Sequence, residues 1–269
     1  MRYQLIALVV AVSLGFVDRS QQPFDPKVRA KLEESFAAYR SIEALHIKVT
    51  WSARYTGSMS RDDFPLPGPD TLELRMQRPN KIFLEASSKS GDRPSTYLIV
   101  SDGKNLWHWR SVPNTYTQVP APPTLKELPK ALPDDAIGTY DGTTWTVDNI
   151  LEWDALVLDD DPIKEMIQEG LAASLSSEKI GSELVDVISL RGTESPSVPI
   201  SLDMTYHLSA VSHLVRECRL LARGKNPDTG RDFTADLRGV YNLLNAKPSF
   251  TAADFQFTPP RGARLVKGK

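Results

Sequence analysis

The sequence predicts an α+β protein built on a curved antiparallel sheet. We expect the sheet to form an unclosed β-barrel of about eleven strands, with an N-terminal helix and a helical lid inserted mid-sheet. One segment has apolar residues at spacings of three and four, and many others alternate apolar and polar residues. A proline-rich stretch separates two groups of alternating segments. Helices segregated from strands favour α+β, and a sheet of this size usually curls.

The chain begins with the layout of a secretory signal peptide. Arg2 precedes an unbroken apolar run from Leu5 to Val12, and small residues follow it. This run is too short to span a bilayer, which needs about 20 apolar residues. A short buried helix is the other interpretation. We predict a signal peptide over residues 1–15, a linker over 16–25 and a single domain over 26–266.

The first half of the domain predicts one helix and about six strands. Asp25 and Pro26 are typical of a helix N-cap and a first helical residue. An apolar stripe continues this helix to about Ser41: Val28, Leu32, Phe36 and Tyr39. From Leu45 the period changes to two, which predicts a long half-buried strand. Further strands follow, joined by an Arg-Pro-Asn turn and a Ser-Asp-Gly-Lys turn.

The second half predicts a lid and then about five more strands. Prolines concentrate between residues 120 and 133, and the segments after them have helical patterns. We therefore place a helical lid at about 120–175. Alternating segments resume near residue 182 and end in a short strand, "DFQFTP".

Composition excludes several functions. The net charge is −2, from 32 basic and 34 acidic residues, and this balance favours neither nucleic acid nor an anionic membrane. Cys218 is the one cysteine, and we expect a buried thiol. No cysteine follows the predicted signal peptide to carry a lipid. We expect a periplasmic or secreted protein that is soluble after cleavage.

The sequence also lacks the motifs of common enzymes. It contains no GxSxG, Walker A, GxGxxG, HExxH or CxxC pattern. His46 and His108 alternate with apolar residues, so we expect them to face solvent. His207 and His213 flank a turn without an evident third ligand for a metal. We expect no catalysis, no cofactor and no metal site.

The five tryptophans leave two interpretations open. Trp51, Trp107 and Trp109 lie in strand patterns, whereas Trp145 and Trp153 lie in the lid. If the lid covers the sheet, both sets face one interior. That interior is either a filled core or a large apolar cavity, and only packing separates the two.

The order of these motifs resembles the outer-membrane lipoprotein carrier (LolA/LolB-like) superfamily, especially a group of predicted periplasmic proteins within it. The segments that carry the resemblance are "LELRMQRPNKIFLEAS", "YLIVSDGKNLWHW" and the C-terminal "FQFTPPRG". The resemblance implies an unclosed barrel with lid helices that binds lipoprotein acyl chains or other lipids, and membrane-bound donor and acceptor proteins as partners. It implies no catalytic residue.

On this resemblance, a hydrophobic cavity would lie between the sheet and the lid. We predict seven lining residues on the sheet: Trp51, Leu74, Met76, Phe83, Tyr97, Trp107 and Trp109. We predict five on the lid: Trp145, Ile150, Trp153, Met166 and Ile167. A charge at Trp107 or Trp153 should then abolish ligand binding. Two alternatives remain: a sensory or scaffolding module that binds a protein partner, and a carbohydrate-binding module that stacks sugars on Trp107 and Trp109.

Overall fold

The computed structural model describes residues 25–57, 70–88, 95–132, 139–140, 143–144, 172–191, 200–226 and 229–267. It has helix α1 (Pro26–Ser41), a short helix α2 (Leu128–Ala131) and two 3-10 turns, η1 (Leu125–Glu127) and η2 (Ala252–Phe255). The strands are β1 (Ala44–Gly57), β2 (Thr71–Gln77), β3 (Lys81–Ser88), β4 (Ser95–Asp102), β5 (Asn105–Arg110), β6 (Thr115–Pro120), β7 (Thr139–Tyr140), β8 (Thr143–Thr144), β9 (Ala172–Ile180), β10 (Glu183–Arg191), β11 (Ile200–Ser209), β12 (Val215–Lys225), β13 (Asp232–Asn245) and β14 (Arg264–Leu265).

Twelve of the described strands form one curved sheet in the order β14-β6-β5-β4-β3-β2-β1-β13-β12-β11-β10-β9. Two meanders, β1 to β6 and β9 to β13, join where β1 pairs with β13. All neighbours are antiparallel except β14 and β6. Among the described strands, nothing pairs with the outer edge of β9, so the sheet is unclosed. The predicted open, curved, antiparallel sheet is confirmed, with twelve strands rather than about eleven.

Helix α1 forms where the sequence predicts it. The Asp25 side chain accepts a hydrogen bond from the backbone N–H of Lys27 at 2.8 Å, and Pro26 occupies the first turn. The apolar stripe of the helix is buried against one face of the sheet, which we call the inner face. Tyr39 anchors the helix there, since its Oη accepts the backbone N–H of Val215 at 3.0 Å.

The helix closes one end of the sheet. Its Lys31 lies 3.2 Å from Asp186 of β10, and the Arg78 Nε after β2 donates to the carbonyl of Ile42 at 2.9 Å. Nearby, the backbone N–H of Leu125 in η1 donates to the carbonyl of Pro79. Three leucines of this region fill the same end of the core: Leu125, Leu128 and Leu132. We call the opposite end, where β1 ends at Gly57 and β10 at Arg191, the far end.

The C-terminal segment crosses the other face of the sheet, which we call the outer face. The η2 turn has a capping box between Thr251 and Asp254, and it packs on β3 and β4. Phe255 is buried there, with 1% of its surface exposed. Strand β14 then adds to the edge of β6.

Three local predictions need correction. Residues 172–175, which we placed at the end of the lid, start strand β9, because Ala173 and Leu175 pack in alternation on the core. The predicted strand "DFQFTP" is instead the end of η2 followed by extended chain, and the short terminal strand is β14. His108 does not face solvent: it lies on the inner face and is 3% exposed.

Most of the predicted lid lies outside the described residues. Of its described parts, residues 120–132 form η1 and α2, whereas β7 and β8 pair as a separate two-stranded antiparallel sheet where a helix was predicted.

Candidate ligand-binding face

The inner face of β1 and β10 to β13 carries a continuous set of uncharged side chains. Antiparallel register places residues of neighbouring strands side by side, and alternation places every second residue on the same face. Beginning level with Trp51 and continuing towards the far end, we define the inner wall by twelve residues: Trp51, Ala53, Tyr55, Leu190, Met204, Tyr206, Cys218, Leu220, Ala222, Phe233, Ala235 and Leu237.

The wall is organised in rows that cross the strands. In the first row, Trp51 is level with Gly239, Cys218 and Tyr206. In the second row, Ala53 is level with Leu237, Leu220, Met204 and Leu190. A third row holds Tyr55, Ala235 and Ala222, and Phe233 lies one row further, level with Gly57 and Gly224. All twelve residues are thus parts of one surface rather than separate patches.

The wall is apolar, and part of it is accessible. Leu237, Ala235 and Ala222 are fully buried. In contrast, four wall residues are half-buried and present apolar surface: Ala53, Tyr55, Met204 and Leu220. Such a surface can hold a hydrocarbon chain, because burial of apolar area from water is favourable and needs no directional contact.

The outer face of the same strands has the opposite character. Arg219 and Asp236 approach to 2.6 Å, and so do Arg238 and Glu217. The Arg219 guanidinium hydrogen-bonds Asp236 and holds the pKa of that carboxyl below its ordinary value. In turn, the Glu217 carboxylate raises the pKa of Arg238. The wall thus has no charged side chain, whereas charged pairs line the outer face of these strands, and the inner-face carboxylate of β10, Asp186, lies on the helix side, where it pairs with Lys31.

Gly239 determines how Trp51 lies on the wall. A Cβ at position 239 would stand 2.9 Å from Cε2 and Cζ2 of the Trp51 ring, and 2.9 Å from Cys218 Sγ. The ring therefore lies over the backbone of β13 and points towards β12. Trp51 is 8% exposed. No described residue offers its Nε1 a hydrogen-bond acceptor.

Four of the seven sheet residues predicted to line a cavity lie on the inner face. Trp51 belongs to the wall, whereas Leu74 and Met76 are buried in the core beside it, at 3% and 1% exposure. Tyr97 is half-buried, packs against the same core and contacts the His108 ring at a centroid distance of 4.9 Å.

The other three sheet residues lie on the outer face, which corrects their predicted grouping with Trp51. Phe83 lies under the Arg75 guanidinium, 4.5 Å from the ring centroid. Trp107 stacks on Phe257 at 5.8 Å. Trp109 donates its Nε1–H to Asn114 Oδ1 at 3.0 Å. The physical reason is register: these three alternate with the inner-face residues Leu84, Leu106 and His108.

The five predicted lid residues lie outside the described residues: Trp145, Ile150, Trp153, Met166 and Ile167. Their role remains a prediction. The inner-face positions of β12 and β13 were not among our predicted residues. A signal for them exists in "CRLLA" and "FTADLRG", where Cys218, Leu220 and Ala222, and then Phe233, Ala235 and Leu237, recur at a period of two.

A charged cluster on the outer face surrounds Glu73 of β2. Its carboxylate contacts Lys48 Nζ at 3.0 Å, Arg75 at 2.7 Å and His46 Nε2 at 2.9 Å. Burial alone would raise the pKa of Glu73, but the hydrogen bonds from Lys48, Arg75 and His46 outweigh it and lower that pKa to about 2. Asp254 of the C-terminal segment lies 3.7 Å from Arg75. The cluster thus holds β1, β2 and the C-terminal segment together.

The histidines do not form a metal centre in the described part of the chain. His207 Nε2 lies 3.1 Å from Glu178, and His213 Nδ1 lies 3.5 Å from Glu34. Within the described ranges, no three side chains of His, Cys, Asp or Glu come together in a way that could hold a metal ion.

The fold and the wall together define an open antiparallel sheet with one apolar, helix-capped face. Residues 37–147 match a family model described as "Predicted periplasmic protein (DUF2092)". This match confirms the resemblance drawn from the sequence and agrees with the predicted periplasmic localisation. None of the helices in the described part of the chain is long and apolar enough to cross a membrane. No curated protein matches the sequence.

Solved structures also resemble the chain. The lipoprotein LppX of Mycobacterium tuberculosis is 12% identical over 84% of this chain and 100% of its own, with a TM-score of 0.41. LprF from Mycobacterium bovis is 13% identical over 84% of this chain and 97% of its own, with a TM-score of 0.40. A domain from Vibrio parahaemolyticus, described as an outer membrane lipoprotein-sorting protein domain, is 10% identical over 85% of this chain and 97% of its own, with a TM-score of 0.26. At these values the similarity assigns no ligand.

Proposed function

We propose that this protein binds the acyl chains of lipidated ligands on its inner wall and carries them through the periplasm. The observation that supports the proposal is the contrast between the two faces of β1 and β10 to β13. Twelve uncharged residues face inward, and ion pairs such as Arg219–Asp236 and Arg238–Glu217 face outward. A filled core needs the same inward pattern, but four wall residues keep accessible surface.

The energetics suit reversible binding. A palmitoyl chain with about 15 methylenes gains on the order of 12 kcal/mol if it is fully buried. Association costs on the order of 4–15 kcal/mol in lost freedom, so only a part of that gain remains as affinity. A carrier must release its ligand, and an apolar wall without ionic contacts permits such release. Lipoprotein acyl chains are the ligands that we propose, and membrane-bound donor and acceptor proteins would load and unload them.

The sharpest test uses two adjacent leucines. Leu220 lies on the wall, whereas Leu221 lies on the outer face of the same strand, opposite Asp236. Leu220→Gln places an amide without a partner against the ligand, which costs about 1–3 kcal/mol, or roughly 5- to 150-fold in affinity. Leu221→Gln is the matched control, because it makes the same chemical change on the opposite face.

The readout is native mass spectrometry of protein purified from a periplasmic fraction without detergent. We expect adducts at lipid or acyl-peptide masses for the wild type and Leu221→Gln, and their loss for Leu220→Gln. Thermal unfolding of both variants checks that they remain folded. A single bare mass for the wild type, or equal adducts in both variants, would contradict the proposal.

One observation favours a second candidate function, the binding of a protein partner. Strand β9 forms an edge of the sheet over nine residues, and no described strand pairs with its outer side. An exposed edge can accept a strand from another chain. This candidate predicts a bare mass in the lipid experiment and loss of partner capture when a proline replaces Ser176 in β9.

The carbohydrate interpretation receives less support. Sugar stacking needs an open pair of aromatic rings. Phe257 stacks on Trp107 instead, and Asn114 holds the Trp109 indole.

A further inference from the structure

The Trp51 indole carries a buried donor that the described protein does not use. Its Nε1 is inaccessible to solvent, and no acceptor among the described residues lies within hydrogen-bond distance. Buried tryptophan N–H groups usually find a partner, because an unmade hydrogen bond in an apolar setting is costly. A donor left over on a candidate binding face therefore points to an acceptor that arrives with the ligand.

The position of this donor is fixed. Gly239 allows Cε2 of the ring, the atom bonded to Nε1, to lie over the β13 backbone, where any larger residue would collide with it. The Trp51 main chain is held as well, since its N–H donates to the carbonyl of Asp70 at 2.8 Å. By register, the wall residues beside Trp51 are Cys218 in the same row and Ala53 and Leu237 in the next row, and Cys218 Sγ itself lies 3.9 Å from the Gly239 carbonyl.

The surroundings select the chemistry of the acceptor. The inner wall has no cationic residue, so a carboxylate or phosphate placed there would lose its hydration for a single hydrogen bond. A carbonyl oxygen is neutral, needs one good donor and is followed by hydrocarbon in an acyl chain. The wall beyond Trp51, with the half-buried Ala53, Leu220 and Met204 in the next row, can accept that hydrocarbon.

We infer that the Trp51 indole N–H donates a hydrogen bond to the carbonyl oxygen of an ester- or amide-linked acyl chain, which makes the protein selective for acylated ligands over free fatty acids and alkyl ethers. This inference rests on the proposed function and names its ligand class. Trp51 acts here as a specificity-determining residue.

The test compares two probes that differ only in the carbonyl. One is a synthetic lipopeptide with two palmitoyl ester chains on a glyceryl-cysteine, and the other is its dihexadecyl ether analogue. Affinities are measured by calorimetry with the wild type, Trp51→Phe and the control Trp107→Phe, whose indole lies on the outer face. If Trp51→Phe fails to fold, a benzothienylalanine at position 51 keeps the ring shape and replaces the N–H with sulfur.

We expect the wild type and Trp107→Phe to bind the ester at least several-fold more tightly than the ether, and both position-51 variants to lose this preference. The Trp51 indole proton should also shift downfield in NMR spectra with the ester and not with the ether. If the wild type binds the ester and the ether equally, or if the position-51 variants keep the preference for the ester, the inference is wrong and the proposed function still stands. If neither probe binds, the proposed function itself fails, and the inference fails with it.

Discussion

The contact between Gly239 and Trp51 allows a quantitative prediction about the wall. In Gly239→Ala, the new Cβ would lie 2.9 Å from two ring carbons of Trp51 and from Cys218 Sγ. Carbon atoms at optimal separation are about 3.5–4.0 Å apart, so the ring and the thiol must each move by roughly 0.6–1 Å. Both side chains are buried, at 8% and 6% exposure, so neither has free space to move into.

Overpacking of this kind costs about 1–3 kcal/mol, which lowers the melting temperature by roughly 2–12 °C in a chain of this size. Urea unfolding, monitored by circular dichroism, measures the free energy of unfolding of the wild type and Gly239→Ala. Trp51→Phe provides the matched background, because the smaller ring removes the colliding atoms. The cost of Gly239→Ala should fall there. An unchanged free energy of unfolding in Gly239→Ala, or an equal cost in both backgrounds, would refute the packing argument.

Three further predictions concern other parts of the fold. Glu73→Gln should lower the free energy of unfolding by about 2 kcal/mol at pH 7. Because the folded pKa of Glu73 is depressed to about 2, this difference in the free energy of unfolding should persist above pH 5 and shrink as the pH falls from about 4.5 towards 2. A difference between wild type and Glu73→Gln that is the same at pH 3 and pH 7 would contradict the prediction. Tyr39→Phe leaves the buried N–H of Val215 without its acceptor, so it should lower the free energy of unfolding, measured with urea, by about 1–3 kcal/mol. A variant as stable as the wild type would argue against a stabilising role for this hydrogen bond. Trp107→Glu removes the ring on which Phe257 stacks, so it should speed amide hydrogen exchange in residues 252–265 without changing the affinity for the lipopeptide. A loss of affinity would show that Trp107 takes part in ligand binding.

Local patterns predicted most of the fold because each pattern has one strong physical cause. The stripe of α1 and the alternation of β1 both reflect burial of one side of a regular element, and both elements lie where they were predicted. Strand β9 was missed because Ala172, Ala173 and Leu175 suit a helix as well as a strand. Only pairing with β10 resolves that choice.

The choice of sheet face was harder to predict than the strands. Their aromatic side chains favoured Trp107 and Trp109 as inner-face residues, but a segment more than 100 residues later covers Trp107 with Phe257, and Trp109 bonds to Asn114 on the outer face. Burial by a distant segment leaves no mark in the local alternation. The same limit applies to Gly239, whose role depends on a ring that comes from β1 and a thiol that comes from β12. Such cross-strand contacts are set by register, which a single sequence does not specify.

Side-chain size divides the inner face into two parts with different roles. On the helix side of Trp51, Leu32, Phe36 and Tyr39 of α1 fill the space above the sheet. On the far-end side, small residues recur in the wall: Ala53 keeps accessible surface, whereas Ala222 and Ala235 are fully buried. Under the proposed function, a ligand would pack on the accessible residues of the far-end side, as α1 packs on the other side. Substitutions in α1 should change stability with little effect on ligand selectivity, whereas substitutions in the wall should change affinity for acyl chains. Trp51, Cys218 and Tyr206 form the first row of the wall and also belong to the core that α1 packs against, so the two parts meet at this row.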